Sequence, residues 1–302
     1  MTTQAYLSTV LDPLAEAINK VIAITNQKGG VGKTSTTFNF AHYLNELAYR
    51  VLVVDLDGQG NQTELFFEQD VLDQYVHTSA VSLFLEDVTQ SFAPLRHPSG
   101  IHVVPTKRNS HEMNNVDTMD IAVAQTFYEN LVVIGRNYDF IVIDTPPTPG
   151  VRTTAGCATA DYIFAPVLSD IFAFSALEGL FNSISSIGEI LGMDLKLDGV
   201  VINQWQDTGP ASREHCARLA EAIGEPLIPT PIRGSKTFEA ALMQGLPVWH
   251  LRKSGNEQRI SRESRKAYGE MAARIAEIPQ ERIDHFNQIS KAVRAKMASA
   301  LA

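Results

Sequence analysis

The chain has 302 residues, of which 44% are hydrophobic and 20% charged, with 19 glycines, 14 prolines and a formal net charge of -9. That composition excludes extensive disorder, and that length makes one large domain or two small ones. No apolar run reaches the ~18 residues that span a bilayer, so integral membrane association is not expected.

The opening MTTQAYLSTVLDPLAEAINK lacks the basic start and apolar core of a signal peptide, and residues 1–20 read as an amphipathic helical extension. A β-branched run, VIAI (21–24), follows, and then the loop NQKGGVGKTS (26–35). Beyond the loop, Phe40, Ala41, Leu44, Leu47 and Ala48 fall at helical spacing. RVLVVDLD (50–57) is a second strand that ends in acids. IHVVPT (101–106), FIVIDTPP (140–147), YIFAPV (162–167) and LDGVVIN (197–203) continue the series, with helices between them clearest at 115–134 and 175–191. Runs apolar on both faces that alternate with helices indicate a mostly parallel sheet covered on both sides. The long connections suit right-handed β-α-β crossovers. The expected fold is therefore one doubly wound α/β domain over 21–250, with residues 251–302 a helical segment packed on the same domain. The last helix places Ile283, Phe286, Ile289, Val293, Met297 and Leu301 at steps of three or four. Because Glu281 and Asp284 flank that stripe, packing is favoured over a membrane-surface role.

In open parallel sheets the chemistry lies beyond the carboxyl ends of the strands. Gly29, Gly30 and Gly32 allow backbone N–H groups to curl around a phosphate, and the following helix offers its positive end. Lys33 reaches β and γ phosphates there, and the Thr34 hydroxyl suits Mg²⁺. The loop departs from the usual phosphate-loop pattern, since Gln27 stands where glycine is expected and a second lysine, Lys28, precedes the glycines. Asp144 ends an apolar strand, where a carboxylate holds Mg²⁺ directly or through water, or else caps a loop. Asp55 and Asp57 divide between orienting a water and supporting the metal site, unless Asp57-Gly58 is only a turn. Cys157 and Cys216 stand in no metal-ligand or C-x-x-C spacing and read as structural residues in a reducing cytosol.

KGGVGKTS, VVDLDGQGNQT, FIVIDTPPTPG and APVLSDIFAFSALEGL, in that order, resemble the deviant Walker A P-loop ATPases of the ParA/MinD superfamily. The branch most similar is the ParA type that partitions plasmids and chromosomes, from about residue 20 to about 250, where EAALMQGLPV resembles a late family block. The resemblance implies ATP held by Lys28, Gly29, Gly30, Val31, Gly32, Lys33, Thr34 and Ser35, and Mg²⁺ at Thr34, Asp55 and Asp144. Lys28 matches the signature lysine, which in that family crosses a nucleotide-sandwich dimer to the partner's ATP. Lys28, Lys33 and Asp57 take the catalytic roles, with Asp57 positioning the water. Asn203 falls where relatives read adenine, or else caps its strand.

Two departures stand out. Gly58 replaces the proline of the family's first switch, and IPTPIRGSKTFEA is spaced differently, so late adenine-pocket residues cannot be carried over. No helix-turn-helix domain precedes Lys20, so site-specific operator binding is not expected. Residues 205–302 hold 15 Lys/Arg against 11 Asp/Glu, whereas the rest of the chain holds 10 against 23. The resemblance turns that asymmetry into an expectation of non-specific DNA binding by an ATP-bound homodimer. The pool of contacts is Arg213, Arg218, Arg233, Lys236, Arg252, Lys253, Arg259, Arg262 and Arg265. A ParB-like centromere-binding adaptor is the implied partner, and a bacterial cytoplasm, with the nucleoid when ATP is bound, the implied location. Two alternatives remain: a MinD-like membrane-surface positioning ATPase and a metabolic P-loop ligase.

Overall fold

The computed structural model describes residues 20–74, 78–85, 88, 92–278, 280 and 283. The expected N-terminal extension and the apolar stripe beyond Ile283 lie outside the described residues. One sheet contains β1 (Lys20–Ile24), β2 (Val51–Asp55), β3 (Leu95–Arg96), β4 (His102–Val104), β5 (Phe140–Asp144), β6 (Tyr162–Leu168) and β7 (Gly199–Asn203). Their order is β3-β4-β2-β5-β1-β6-β7. All neighbours are parallel except the two-residue edge strand β3, which runs antiparallel to β4.

The apolar runs work because successive side chains of a strand point to opposite faces. In β2, Val51 and Val53 enter one core cluster while Leu52 and Val54 enter another; β5 divides Phe140 and Val142 from Ile141 and Ile143 in the same way. Helices cover both faces. On the first, α1 (Lys33–Glu46) buries Phe38, Phe40, Tyr43 and Leu44 completely. Among the described residues the β2–β3 connection holds three short helices, α2 (Asn61–Glu64), α3 (Gln69–Gln74) and α4 (Ser82–Leu85). On the second face lie α5 (His111–Asn115), a 3-10 turn at Val116–Thr118, α6 (Val123–Gly135) and α7 (Val151–Thr159). Along β6 and β7, α8 (Ala173–Leu191) and α9 (Pro210–Ile223) supply Leu177, Leu180, Ile184, Leu219 and Ile223 to a third cluster.

Helices α10 (Lys236–Met243) and α11 (Gly255–Ala272) return to the first face, where Phe238, Ala241, Ile260, Tyr268 and Met271 join the core of α1. Polar bonds fix this return. Trp249 is fully buried and donates from Nε1 to Glu46 Oε1 (2.8 Å), and the Val248 amide donates to Asn39 Oδ1 (2.9 Å). The single helix expected over 115–134 is broken. Met119 is extended (φ -84°, ψ 168°), and the Asp120 carboxylate accepts the Ala122 amide (2.8 Å), so the chain restarts a helix there. Among the described residues no helix is long and apolar enough to cross a membrane.

His42 sits in the α1 core between Phe38 and Phe66 and is 5% exposed. Burial, with His97 and His250 nearby and only Glu46 opposing, pushes its pKa down to about 3. An unfolded chain takes up a proton there near pH 6.5 that the folded chain refuses. The stabilisation is therefore complete above that pH and is lost as pH falls towards 3. Between pH 7 and pH 5 His42 alone should cost about 2 kcal/mol of stability. Denaturant titrations at both pH values should show a smaller acid loss for His42→Phe, which keeps the aromatic packing; an equal loss would remove His42 as the cause.

Candidate phosphate-binding and hydrolysis site

The glycine loop leaves β1, an interior strand between β5 and β6, and enters α1 at Lys33. Gly30 and Gly32 have φ of +74° and +91°, the left-handed region that side chains avoid. Gly32 is also hemmed in, because a Cβ there would lie 2.1 Å from Asn203 Nδ2. The end of β7 props the loop: Asn203 Nδ2 donates to the Val31 carbonyl (2.7 Å) and Gln204 Nε2 to the Gly30 carbonyl (2.8 Å). Asn203, expected either at adenine or as a cap on its strand, commits its NH₂ to the loop and is 3% exposed. Gln204, absent from the sequence-based expectations, is held at φ +53°, an unusual backbone for a non-glycine residue and the only local signal of its role.

Lys33 is 7% exposed, and its Nζ has the Lys28 carbonyl at 3.4 Å as its bond within the loop. Burial lowers its pKa, against the pull of Asp144 and Asp57. A buried ammonium whose bond is a long one to a single carbonyl is a charge awaiting an anion. Beside it, Thr34 Oγ1 donates to Asp144 Oδ2 (2.8 Å) and Thr37 Oγ1 to Asp144 Oδ1 (3.3 Å). Asp144 is fully buried; burial pushes it up to about 7, with Thr34 and Lys33 resisting.

Asp55 lies next to Asp144 across β2 and β5 and is also fully buried. Burial first, and then the Asp144 charge, raise it well above the usual carboxylate range. Two adjacent buried acids that repel, with a hydroxyl alongside, form a donor set suited to a hard divalent cation. Thr34 and Asp144 fit that role. Asp55 also has a structural task in this geometry. Its Oδ2 accepts Thr63 N (3.0 Å) and Oγ1 (2.7 Å), and its Oδ1 accepts Asp57 N (3.1 Å), so it staples the loop that carries Asp57.

A cavity of about 670 Å³ opens over the loop, with Lys33 and Thr34 on one wall and Asp57, Gln59 and Asn61 on the other. Its rim includes Leu242 and Met243 of α10. The Asp57 carboxylate accepts the Gln59 amide (3.0 Å) and lines the cavity. Lys28 lies outside this cavity. Its Nζ pairs with Asp170 Oδ2 (2.5 Å) after β6 and stands 5.9 Å from the centre of the Phe172 ring. Both side chains are about one-third exposed (32% and 37%), so the pair is worth at most ~1 kcal/mol and releases cheaply. Gly58 has a steric reason. A Cβ there would lie 2.0 Å from Asn114 Oδ1, so in this chain Asn114 occupies the space a proline needs.

Among the expected DNA contacts, Arg218, Lys236, Lys253, Arg259 and Arg262 are exposed, as is Arg213, which pairs with Asp207 (2.8 Å). Arg233 stacks on Trp205 (4.4 Å) and pairs with Glu263 (2.7 Å), and Arg252 donates to the Trp249 carbonyl (2.6 Å). Arg265 leaves the pool: it is 7% exposed and lies 3.9 Å from Glu46 in the interior. Its spacing from Ser261, Ser264, Tyr268 and Ala272 places it on the buried face of α11. Lys266, outside the expected pool, shares the outer face with Arg259 and Arg262. Cys157 is buried in the core, its thiol pushed up to about 12, and Cys216 is half-buried; the described residues contain no cluster of metal-ligating side chains of the cysteine–histidine–acid kind.

A family model described as "AAA domain" matches residues 19–197. The cell division protein PomZ of Myxococcus xanthus is 32% identical over 233 residues, covering 74% of this chain and 70% of that protein. Chromosome partitioning protein ParA of the same organism is 30% identical, covering 62% and 66%. The solved ATP complex of a substituted McdA from Cyanothece superposes with a TM-score of 0.70 at 19% identity, covering 87% of this chain and all of that one, which is a likeness of fold. Cobyrinic acid a,c-diamide synthase from Mycobacterium smegmatis, solved with ADP and magnesium, gives 0.64 at 28% identity, covering 74% and 90%.

Proposed function

Because the chain belongs to the ParA/MinD family of P-loop ATPases, close to the partition branch, we propose that it is an ATP-driven switch that segregates or positions DNA-linked cargo. ATP and Mg²⁺ are its ligands: related structures were solved with them, and the donor set fits both. The observation that carries the reading is Lys33, a buried ammonium without a recorded ion pair, facing a glycine cradle and the Thr34–Asp144 pair. Thr34 and Asp144 would hold the metal ion, which when bound neutralises phosphate charge.

The other steps belong to the chain itself. Lys33 and the loop amides bind and orient the terminal phosphates. Asp57, held from behind by Asp55, orients the attacking water by accepting its hydrogen bond. Lys28 gives up Asp170 and crosses to the nucleotide of a second copy, so that each site is complete only in the dimer. The dimer then presents the basic face of α11 and neighbouring residues to DNA phosphates, and a ParB-like adaptor speeds hydrolysis and release.

DNA co-sedimentation with ATP, with ADP and without nucleotide, at two salt concentrations, tests this reading. ATP-dependent binding of unrelated sequences that weakens steeply with salt is expected; failure to bind in every state would overturn it. The likeness to the diamide synthase favours a second reading, in which ATP activates a small molecule. That reading predicts indifference to DNA in the same assay and turnover that depends on an added carboxylic acid and amide donor.

A further inference from the structure

We infer that Arg152 is a positioning residue for hydrolysis, clamping the loop that carries Asp57 to the segment that follows Asp144. This rests on the ATPase reading above. Arg152 opens α7 and is 4% exposed, yet its guanidinium makes four recorded bonds. Nε and Nη2 grip Asp117 Oδ2 (3.0 and 2.6 Å), and its backbone N–H donates to Asp117 Oδ1 (3.0 Å). Nη1 reaches in the other direction, to the Leu56 carbonyl (3.1 Å) and Asn114 Oδ1 (3.2 Å). That carbonyl belongs to the peptide that leads into Asp57. On the far side, Asn114 fills the space beside Gly58, and the Ser110 amide donates to the Gly58 carbonyl (2.7 Å).

Two glycines make the clamp possible. A Cβ at Gly58 would strike Asn114 at 2.0 Å, and one at Gly150 would strike the Asp117 carboxylate at 2.5 Å. The backbone of the Asp57 loop is thus held on both sides of Asp57, at Leu56 by a guanidinium anchored in the Asp144 connection and at Gly58 by the Ser110 amide. A shift of either loop must move the other or break these bonds. Asp57 itself touches none of the clamp's side chains in any recorded bond, so Arg152 acts on it through the backbone.

Arg152→Lys keeps a cation near Asp117 but cannot span Asp117 and Leu56 with one planar fork. In the full chain, amide hydrogen exchange over residues 56–60 should accelerate in this variant. ATP turnover should fall roughly 10- to 100-fold, as expected for a misplaced reacting group, while KM for ATP stays within about twofold. Asn114→Ala, at an exposed position, removes one bond of Nη1 and should shift both readouts the same way by less, which keeps the test open if the lysine variant does not fold. Exchange that stays at the parental rate in the folded variants, or faster exchange with unchanged turnover, would overturn the inference. A parent protein that shows clamp-dependent exchange but hydrolyses no ATP would overturn the ATPase reading and leave the clamp standing.

Discussion

Lys33→Ala should abolish nucleotide binding, with affinity for ATP–Mg²⁺ falling about 100-fold or more, because a charge-assisted contact to phosphate is lost from a buried position. The same substitution should leave the nucleotide-free protein as stable as the parent or more so. In the free protein Lys33 is a desolvated ammonium whose recorded bond is a 3.4 Å contact to the Lys28 carbonyl, and removing it relieves that burial. The two effects separate in a thermal-shift titration. The parent should gain about 2.7 kcal/mol when ligand exceeds its Kd 100-fold, whereas the variant should gain no more than about 0.4 kcal/mol across the same range. A variant that is destabilised without ligand yet binds ATP normally would mean that Lys33 is a structural residue.

Asp57→Ala should do the opposite, sparing binding and removing turnover by about 100-fold or more. Asp57 caps only its own turn through the Gln59 amide, and the loop around it is held by Asp55, Thr63 and Thr106 rather than by Asp57. The fold should therefore survive its loss. With ATP bound and hydrolysis blocked, the assembled state should accumulate, visible as a doubled mass in light scattering with ATP and not with ADP. Rapid hydrolysis by this variant would remove Asp57 from the mechanism.

Strands and phosphate loop were legible because their signals are local. Each internal strand is a β-branched run buried on both faces, and the loop's glycines and Lys33 follow from backbone and charge requirements alone. The edge strand β3 was not legible, since two residues carry no alternation. Nor was the break in the helix expected over 115–134, where Asp117 turns inward to Arg152 from 35 positions away in the chain. Arg152 was not singled out by any motif; only the tertiary fold joins it to Asp117 and Leu56. Gly58 stood out only as a departure from the family's first switch, and the fold shows that it leaves room for the Asn114 side chain. Arg265 was legible in principle, because its helical spacing already placed it beside Tyr268 and Ser261 on the buried side. Lys28 keeps its sequence-derived assignment as an expectation, with the added finding that it first has to leave Asp170.

If two copies of the chain complete each site, mixing Lys28→Ala with Asp57→Ala should restore turnover that neither variant has alone. Each variant alone should be nearly inactive, the first because no lysine crosses and the second because no group orients the water. In a mixed dimer the Asp57→Ala subunit supplies its Lys28 to the intact Asp57 site of the other. The account predicts turnover in the mixture well above the sum of the two separate rates, appearing only when ATP and both proteins are present. A mixture no more active than its components, with mixed dimers shown to form, would contradict it.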